Sequence, residues 1–194
     1  VLQERFIQNS GFTIDYKLTD RGATLVTRLE EGFLSIEDGF EYGVGINTGY
    51  IKDKMVSSTK KDDRFHQMVP GTGISRYGLT KSVGWIIYDA EYVRKFVKLG
   101  RTLPAERLLY SEKILVVRTR NLSLDRRIIA TIDESSNYNL NRLSNIISRP
   151  GYSLHGLLGI LNSKLFNWIF LTKYFDYEIK PVYLRKSPLA NVND

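Results

Sequence analysis

Residues 154–174 read LHGLLGILNSKLFNWIFLTKY, and this stretch sets the architecture of the C-terminal third of the chain. Leu154, Leu157, Leu158, Leu161, Leu165, Trp168 and Ile169 recur at helical spacing, which gathers them on one apolar stripe. Ser153 stands just ahead of the run, where a hydroxyl can cap the first turn. The pattern predicts one long helix from Ser153 to about Tyr174. The run is apolar enough to raise a membrane span, but Asn162-Ser163-Lys164 interrupts its centre, and a lysine at mid-bilayer is costly. A buried or half-buried helix follows, with Phe166, Trp168 and Phe170 as core.

Working outward, Arg149-Pro150-Gly151 breaks the chain ahead of the helix, and the segments before it are strand-like. Lys113–Arg120 (KILVVRTR) and Arg127–Asp133 (RIIATID) are short and β-branched, with a turn between them. Tyr138–Ser148, Phe65–Val69 and Val83–Tyr88 read as further strands. Asp89 can cap a helix running to about Leu99, and Pro104 can open a short one to Leu109. Residues 52–64, rich in charge and serine, read as an exposed loop, and 180–188 as an extended tail bounded by Pro181 and Pro188. Phe12–Leu18 and Ala23–Leu29 read as weak strands. The sum is an α+β fold with a mixed or antiparallel sheet core and a long C-terminal helix. Residues 1–32 are expected to be a linker or the end of an upstream domain, 33–190 one folded domain, and 191–194 a tail.

Composition limits the chemistry. The 194 residues contain no cysteine, which removes disulfides, thiolate zinc sites and cysteine nucleophiles. The two histidines, His66 and His155, lie in no nucleophile-elbow context. The chain opens on VLQERFIQNSG, with no initiator methionine, basic n-region or apolar h-region, so it is expected to be a cytoplasmic piece of a longer protein. A net charge of +7, from 28 basic and 21 acidic residues, suits a polyanionic partner, because lysine and arginine release counterions from phosphates.

Three constellations in the sequence carry candidate chemistry. Gly43-Val44-Gly45-Ile46-Asn47-Thr48-Gly49 resembles a dinucleotide fingerprint, but its third glycine is one position late and a charged segment follows instead of a helix. It reads as a tight turn whose backbone can approach a phosphate or base edge, with Thr48, Tyr50 and Lys52 as contacting groups. Asp176, Glu178 and Lys180 contain the Glu-x-Lys ending of a magnesium-dependent nuclease site, without an evident second carboxylate on another strand. The third is a basic set interleaved with tyrosines. Arg76 and Tyr77 lie in a glycine-rich turn, and Lys113, Arg118 and Arg120 run along one strand, with Arg118 and Arg120 on a common face. Arg126, Arg127, Arg142, Arg149, Lys164, Arg185 and Lys186 follow. Arginine can grip guanine with two hydrogen bonds, lysine and backbone N–H groups hold phosphates, and tyrosine can stack. The long helix also offers a protein-interaction surface.

In this order the segments resemble the TaqI-like C-terminal specificity domain of N6-adenine DNA methyltransferases and fused type IIG restriction–modification enzymes. Four stretches carry the likeness: Val44–Gly49, similar to a Gly-Ile-x-Thr-Gly turn; Gly71–Tyr77, similar to Gly-x-x-Ile-x-Arg-Tyr before the aromatic strand at Trp85; Glu112–Val116, similar to a Lys-Ile strand; and Leu157–Leu165, similar to a Leu-Leu-x-Leu-Leu-Asn-Ser-Lys helix. The resemblance implies a module that reads double-stranded DNA while a separate catalytic methyltransferase domain of the same parent chain binds S-adenosylmethionine and rotates out the target adenine. No two of the five prolines are adjacent, so the Asn/Asp-Pro-Pro-aromatic loop that such catalysis needs is not here. The fragment is therefore expected to be non-catalytic, with adenine methylation and any endonuclease activity residing elsewhere in the parent. The DNA-binding residues expected on this reading are Thr48, Tyr50, Lys52, Arg76, Tyr77, Arg118, Arg120 and Lys164, with Arg185 and Lys186 holding backbone.

Overall fold

The computed structural model describes Glu4, Ile7 and residues 17–79, 84–98, 102–119 and 123–190. Arg120 and the tail 191–194 lie outside the described residues. The fold mixes helices with antiparallel sheets, as the α+β reading expects. In chain order the elements are α1 (Asp20–Gly32), β1 (Leu34–Ser35), α2 (Ile36–Gly39), β2 (Phe40–Val44), α3 (Lys52–Met55), β3 (Val56–Ser57), β4 (Phe65–Val69), β5 (Ile74–Ser75), β6 (Gly78–Leu79) and β7 (Gly84–Ile87). There follow α4 (Ala90–Arg94), α5 (Arg107–Tyr110), β8 (Lys113–Val117), β9 (Ala130–Asp133), β10 (Tyr138–Asn139), β11 (Leu143–Ser148), α6 (Leu154–Leu161), α7 (Lys164–Lys173), α8 (Pro181–Arg185) and β12 (Pro188–Leu189).

Two four-stranded sheets organise the chain. One has the order β2-β11-β8-β9, antiparallel throughout; the other has the order β10-β4-β7-β3, in which β10 runs parallel to β4. The even positions of β11 and β8, Ile146, Ile114 and Val116, face the largest core, which α6, α7 and α8 close with Leu157, Leu161, Phe166, Phe170 and Leu184. On the opposite face Leu115, Leu143 and Val69 form a smaller cluster covered by Ile74 and Leu79 of the β5–β6 hairpin. The second sheet has its own core of Ile46, Ile51, Met55, Phe65, Ile86, Ile87 and Val93.

Several expectations need correction. The single helix predicted from Ser153 to Tyr174 is two helices. Asn162 ends α6, and Ser163 turns to extended backbone (ψ 158°) with its hydroxyl accepting from Phe166 N–H, so the polar triplet is a cap rather than a helix interior. Ala23–Leu29 is helical. Thr19 caps α1 by accepting from Gly22 N–H, and Leu18, Val26 and Leu29 share a face against Ile169 and Trp168 of α7. The tail near 181–185 is the short helix α8, opened by Pro181, whose missing N–H would have no partner there anyway. In the supposed loop 52–64, Met55 is fully buried and β3 pairs with β7. The expected strand 138–148 is divided into β10 and β11, which belong to different sheets. The expected strand 113–120 ends at Val117, beyond which Arg118 donates its N–H to Arg142 C=O and accepts from Ile179 N–H.

Candidate nucleic-acid interface

Antiparallel pairing sends four chain segments to one end of the β2-β11-β8-β9 sheet. Val44 pairs with Ser144, Leu143 with Val117, and Val116 with Ala130, so β2 and β8 finish where β11 and β9 begin. Just beyond that edge lie the glycine turn, Arg118, Asn141-Arg142 and Arg126-Arg127. The glycine turn is sewn down by Ile46 N–H to Asn139 C=O (2.8 Å) and Asn141 N–H to Ile46 C=O (2.9 Å). A side chain at Gly45 would fall 2.4 Å from Leu140 O, so only glycine lets the two segments approach this closely. Asn47 and Asn141 meet through their amides, Nδ2 of Asn141 donating to Oδ1 of Asn47 at 3.3 Å.

The expected contacting residues fall into three groups. Thr48 is half-exposed at the turn, with its C=O receiving Ile51 N–H. Tyr50 is 81% exposed, its hydroxyl reaching Phe96 C=O at 3.4 Å, and Lys52 is exposed at the start of α3. With Asp53 and Val56 they line an open depression.

The second group meets around Ala130. Arg76 and Tyr77 form the two-residue turn of the β5–β6 hairpin and are both exposed, with the Arg76 guanidinium 5.2 Å from the Tyr77 ring centre. Tyr77 has φ +59°, a left-handed conformation that costs a non-glycine residue on the order of 1 kcal/mol. Its N–H donates to Ala130 C=O at 3.2 Å. The same peptide is gripped from the other side by Asn162, whose Oδ1 accepts from Ala130 N–H (3.1 Å) and whose Nδ2 donates to Ala130 C=O (2.9 Å). Asn167 accepts Ile128 N–H at 2.8 Å and donates to the carbonyls of Leu161 and Ser163. Buried Asn162 thus takes the place of a neighbouring strand at Ala130 of β9, and buried Asn167 satisfies the backbone just ahead of it. Lys164, exposed, opens α7 two residues after Asn162. A cation at a helix N-terminus opposes the helix dipole, so Lys164 does nothing for the helix it begins.

The third group lies apart. Arg185 and Lys186 sit at the other end of the sheet, where both pair with Glu37, Lys186 at 2.5 Å. Arg118 is committed inward: its guanidinium pairs with Glu178 and donates to Asn141 C=O at 2.7 Å. Arg120 is not among the described residues.

Two members of the broader basic set are interior. Lys113 and Asp133 form a fully buried cross-strand ion pair at 2.7 Å, and burial pushes the Lys113 ammonium below the usual lysine range. Arg127 is buried too, donating to the carbonyls of Tyr174 and Asp176 past the end of α7. The nuclease constellation finds no support. Asp176 pairs with Lys180 at 2.8 Å and accepts from the Tyr183 hydroxyl, contacts that hold its carboxyl below the usual range, while Glu178 pairs with Arg118. Each carboxylate is occupied by its own cation, and among the described residues no three or more His, Cys, Asp or Glu side chains gather as a metal-binding cluster. Sequence reasoning gave no structural role to Asn162 and Asn167; their signal was polarity at positions inside an apolar helical stripe.

Arg76, Tyr77, Lys164, Tyr50 and Lys52 thus give the fold exposed cations and exposed rings. The sequence profile of the TaqI-like C-terminal specificity domain matches residues 66–189, well over half of the chain, and the chain belongs to that family. Membership makes it a DNA-recognition specificity domain of the kind found in methyltransferase-type enzymes. Three of the four stretches that carried the resemblance lie inside the match; the glycine turn at 44–49 precedes it. Among curated proteins none matches the chain significantly. Among the described residues no helix is long and apolar enough to cross a membrane.

Proposed function

We propose that this chain is the target-recognition module of an N6-adenine DNA methyltransferase or a fused methyltransferase–restriction enzyme, and that it reads double-stranded DNA with the sheet end just described. One observation carries the reading: the Arg-Tyr turn and the Asn-Ser-Lys helix start, distant in sequence, meet at the single peptide of Ala130. That meeting brings Arg76, Tyr77 and Lys164 to one corner, where arginine and lysine can hold phosphates and the tyrosine ring can lie on a sugar or base. The parent enzyme would work on DNA in the cytoplasm. S-adenosylmethionine would be held by a catalytic domain outside these residues.

Binding of this chain to a fluorescent duplex pool of random sequence tests the reading. Log affinity should fall linearly with log salt, with a slope of roughly 0.9 for each phosphate neutralised. Arg76→Gln and Lys164→Gln should each weaken binding, while Arg149→Gln, at the far end of the sheet, should not. Failure to bind duplex even at low salt sinks the proposal.

The strained turn gives a sharper case. Tyr77→Gly removes the left-handed penalty but adds chain entropy in the unfolded state, so stability should stay within about 1 kcal/mol of the parent. Duplex affinity should nevertheless drop by about an order of magnitude, the loss expected for one aromatic contact. Unchanged affinity would show that the ring is not at the interface.

A further inference from the structure

The connection between β10 and β11 presents a cation that the set of expected contacts left out. Four hydrogen bonds hold Asn141-Arg142 at the sheet end. Asn141 N–H donates to Ile46 C=O at 2.9 Å, and Asn141 C=O accepts from the Arg118 guanidinium at 2.7 Å. Arg142 C=O accepts from Arg118 N–H at 3.0 Å, and the Asn141 amide reaches Asn47 at 3.3 Å. Every one of these bonds fixes backbone or the neighbouring amide, and Arg142 itself remains exposed.

The side chain of Arg142 has a prepared seat. Residues 70–73 make a tight turn closed by Gly73 N–H to Pro70 C=O at 2.8 Å. A Cβ added at Gly71 would sit 2.7 Å from Arg142 Cβ and 3.3 Å from its Cδ. The hydrogen of Gly71 therefore leaves the room in which the aliphatic stem lies, and the stem is steered by a wall of backbone. An arginine whose stem is already confined loses less entropy when its planar fork engages a pair of acceptors. The seat comes from the same Gly71–Tyr77 stretch that presents Arg76, so one hairpin-bearing loop carries Arg76 and walls the stem of Arg142.

We propose that Arg142 is a DNA-contacting residue of this module, engaging a paired acceptor on the duplex, and that Arg118 is a positioning residue that holds the Asn141-Arg142 peptide in place. The inference rests on the reading of this sheet end as the DNA-binding face. A phosphate and a guanine edge offer the same paired-acceptor chemistry, and the measurement separates them.

The test uses this chain and the random duplex pool, measuring both the salt dependence of affinity and the base preferences of the bound fraction. If Arg142 holds a phosphate, Arg142→Gln lowers the salt slope by roughly 0.9 and leaves base preferences intact. If it grips guanine, the preference at one base pair is lost. Gly71→Ala should reproduce part of either loss, because the added methyl displaces the stem. Arg118→Met removes the guanidinium that ties Asn141 C=O to Glu178, so affinity should fall with the salt slope retained. Arg142→Gln with both slope and preferences unchanged, while the parent chain binds duplex, overturns this inference alone. A parent chain that binds no duplex overturns it together with the functional reading.

Discussion

Replacing Lys113 by methionine is expected to destabilise the protein by about 4 kcal/mol. The ammonium is fully buried between β8 and the end of α5, bonded to Asp133 at 2.7 Å and to Leu109 C=O at 2.5 Å. Methionine fills similar volume, so the loss is electrostatic: the Asp133 carboxylate stays inside without its counter-charge. Its other partners, Ser135 N–H, Asn137 N–H and the Asn137 amide, remain. They moderate the penalty without supplying a positive charge. Urea denaturation of Lys113→Met, Asp133→Asn and the double variant measures the coupling. The double variant should be more stable than the sum of the two single losses implies. Strict additivity, or a loss below about 1 kcal/mol for Lys113→Met, would show that the pair is not coupled as its geometry requires.

Asn162→Ala is the second large case, expected at about 3 kcal/mol. The amide makes two bonds to Ala130, and the Ala130 N–H, facing away from β8, has no alternative partner within the sheet. Truncation leaves that donor buried, opens a small void beside α6, and frees the start of α7 from β9. A fall in melting temperature on the order of 10 °C follows for a chain of this size. Asn162→Asp should not rescue it, since a carboxylate accepts from the N–H but cannot donate to the C=O. Duplex binding by Asn162→Ala under conditions where it remains folded should weaken as well, because Lys164 and Tyr77 are both referenced to that peptide. A variant as stable as the parent would mean that the β9 edge is satisfied in some other way.

Much of this was legible in the residues. The β-branched runs expected as strands at 113–120 and 127–133 do contain strands, shortened to Lys113–Val117 and Ala130–Asp133, and the resemblance to the specificity-domain family is borne out by the match over 66–189. The charge of the chain was legible too, but not the address of each charge. Nothing in the local pattern distinguishes Lys113 from a solvated lysine, because its partner Asp133 lies on the next strand and becomes a neighbour only through register. Arg118 was expected to share a strand face with Arg120; instead Arg118 lies past the strand's end, where Glu178 arrives from 60 residues later in the chain to claim it. The helix break at Asn162-Ser163 was written in plain sight, since a polar triplet had interrupted an apolar stripe. Periodicity alone bridged it, because Leu161 and Leu165 keep helical spacing across a one-residue kink. Tertiary demand from the unpaired edge of β9 decided between the two.

The shared peptide at Ala130 also bears on how such a module can diversify. Tyr77 and Asn162 reach it from opposite directions, so residues 78–129 form an excursion that leaves this point and returns to it. Lengthening an excursion anchored at both ends is thermodynamically gentle, about 0.6 kcal/mol for each doubling of a flexible loop. Insertions between β7 and β8 can therefore grow, shrink or be exchanged while the corner stays assembled, giving the scaffold freedom to acquire new reading surfaces without being rebuilt.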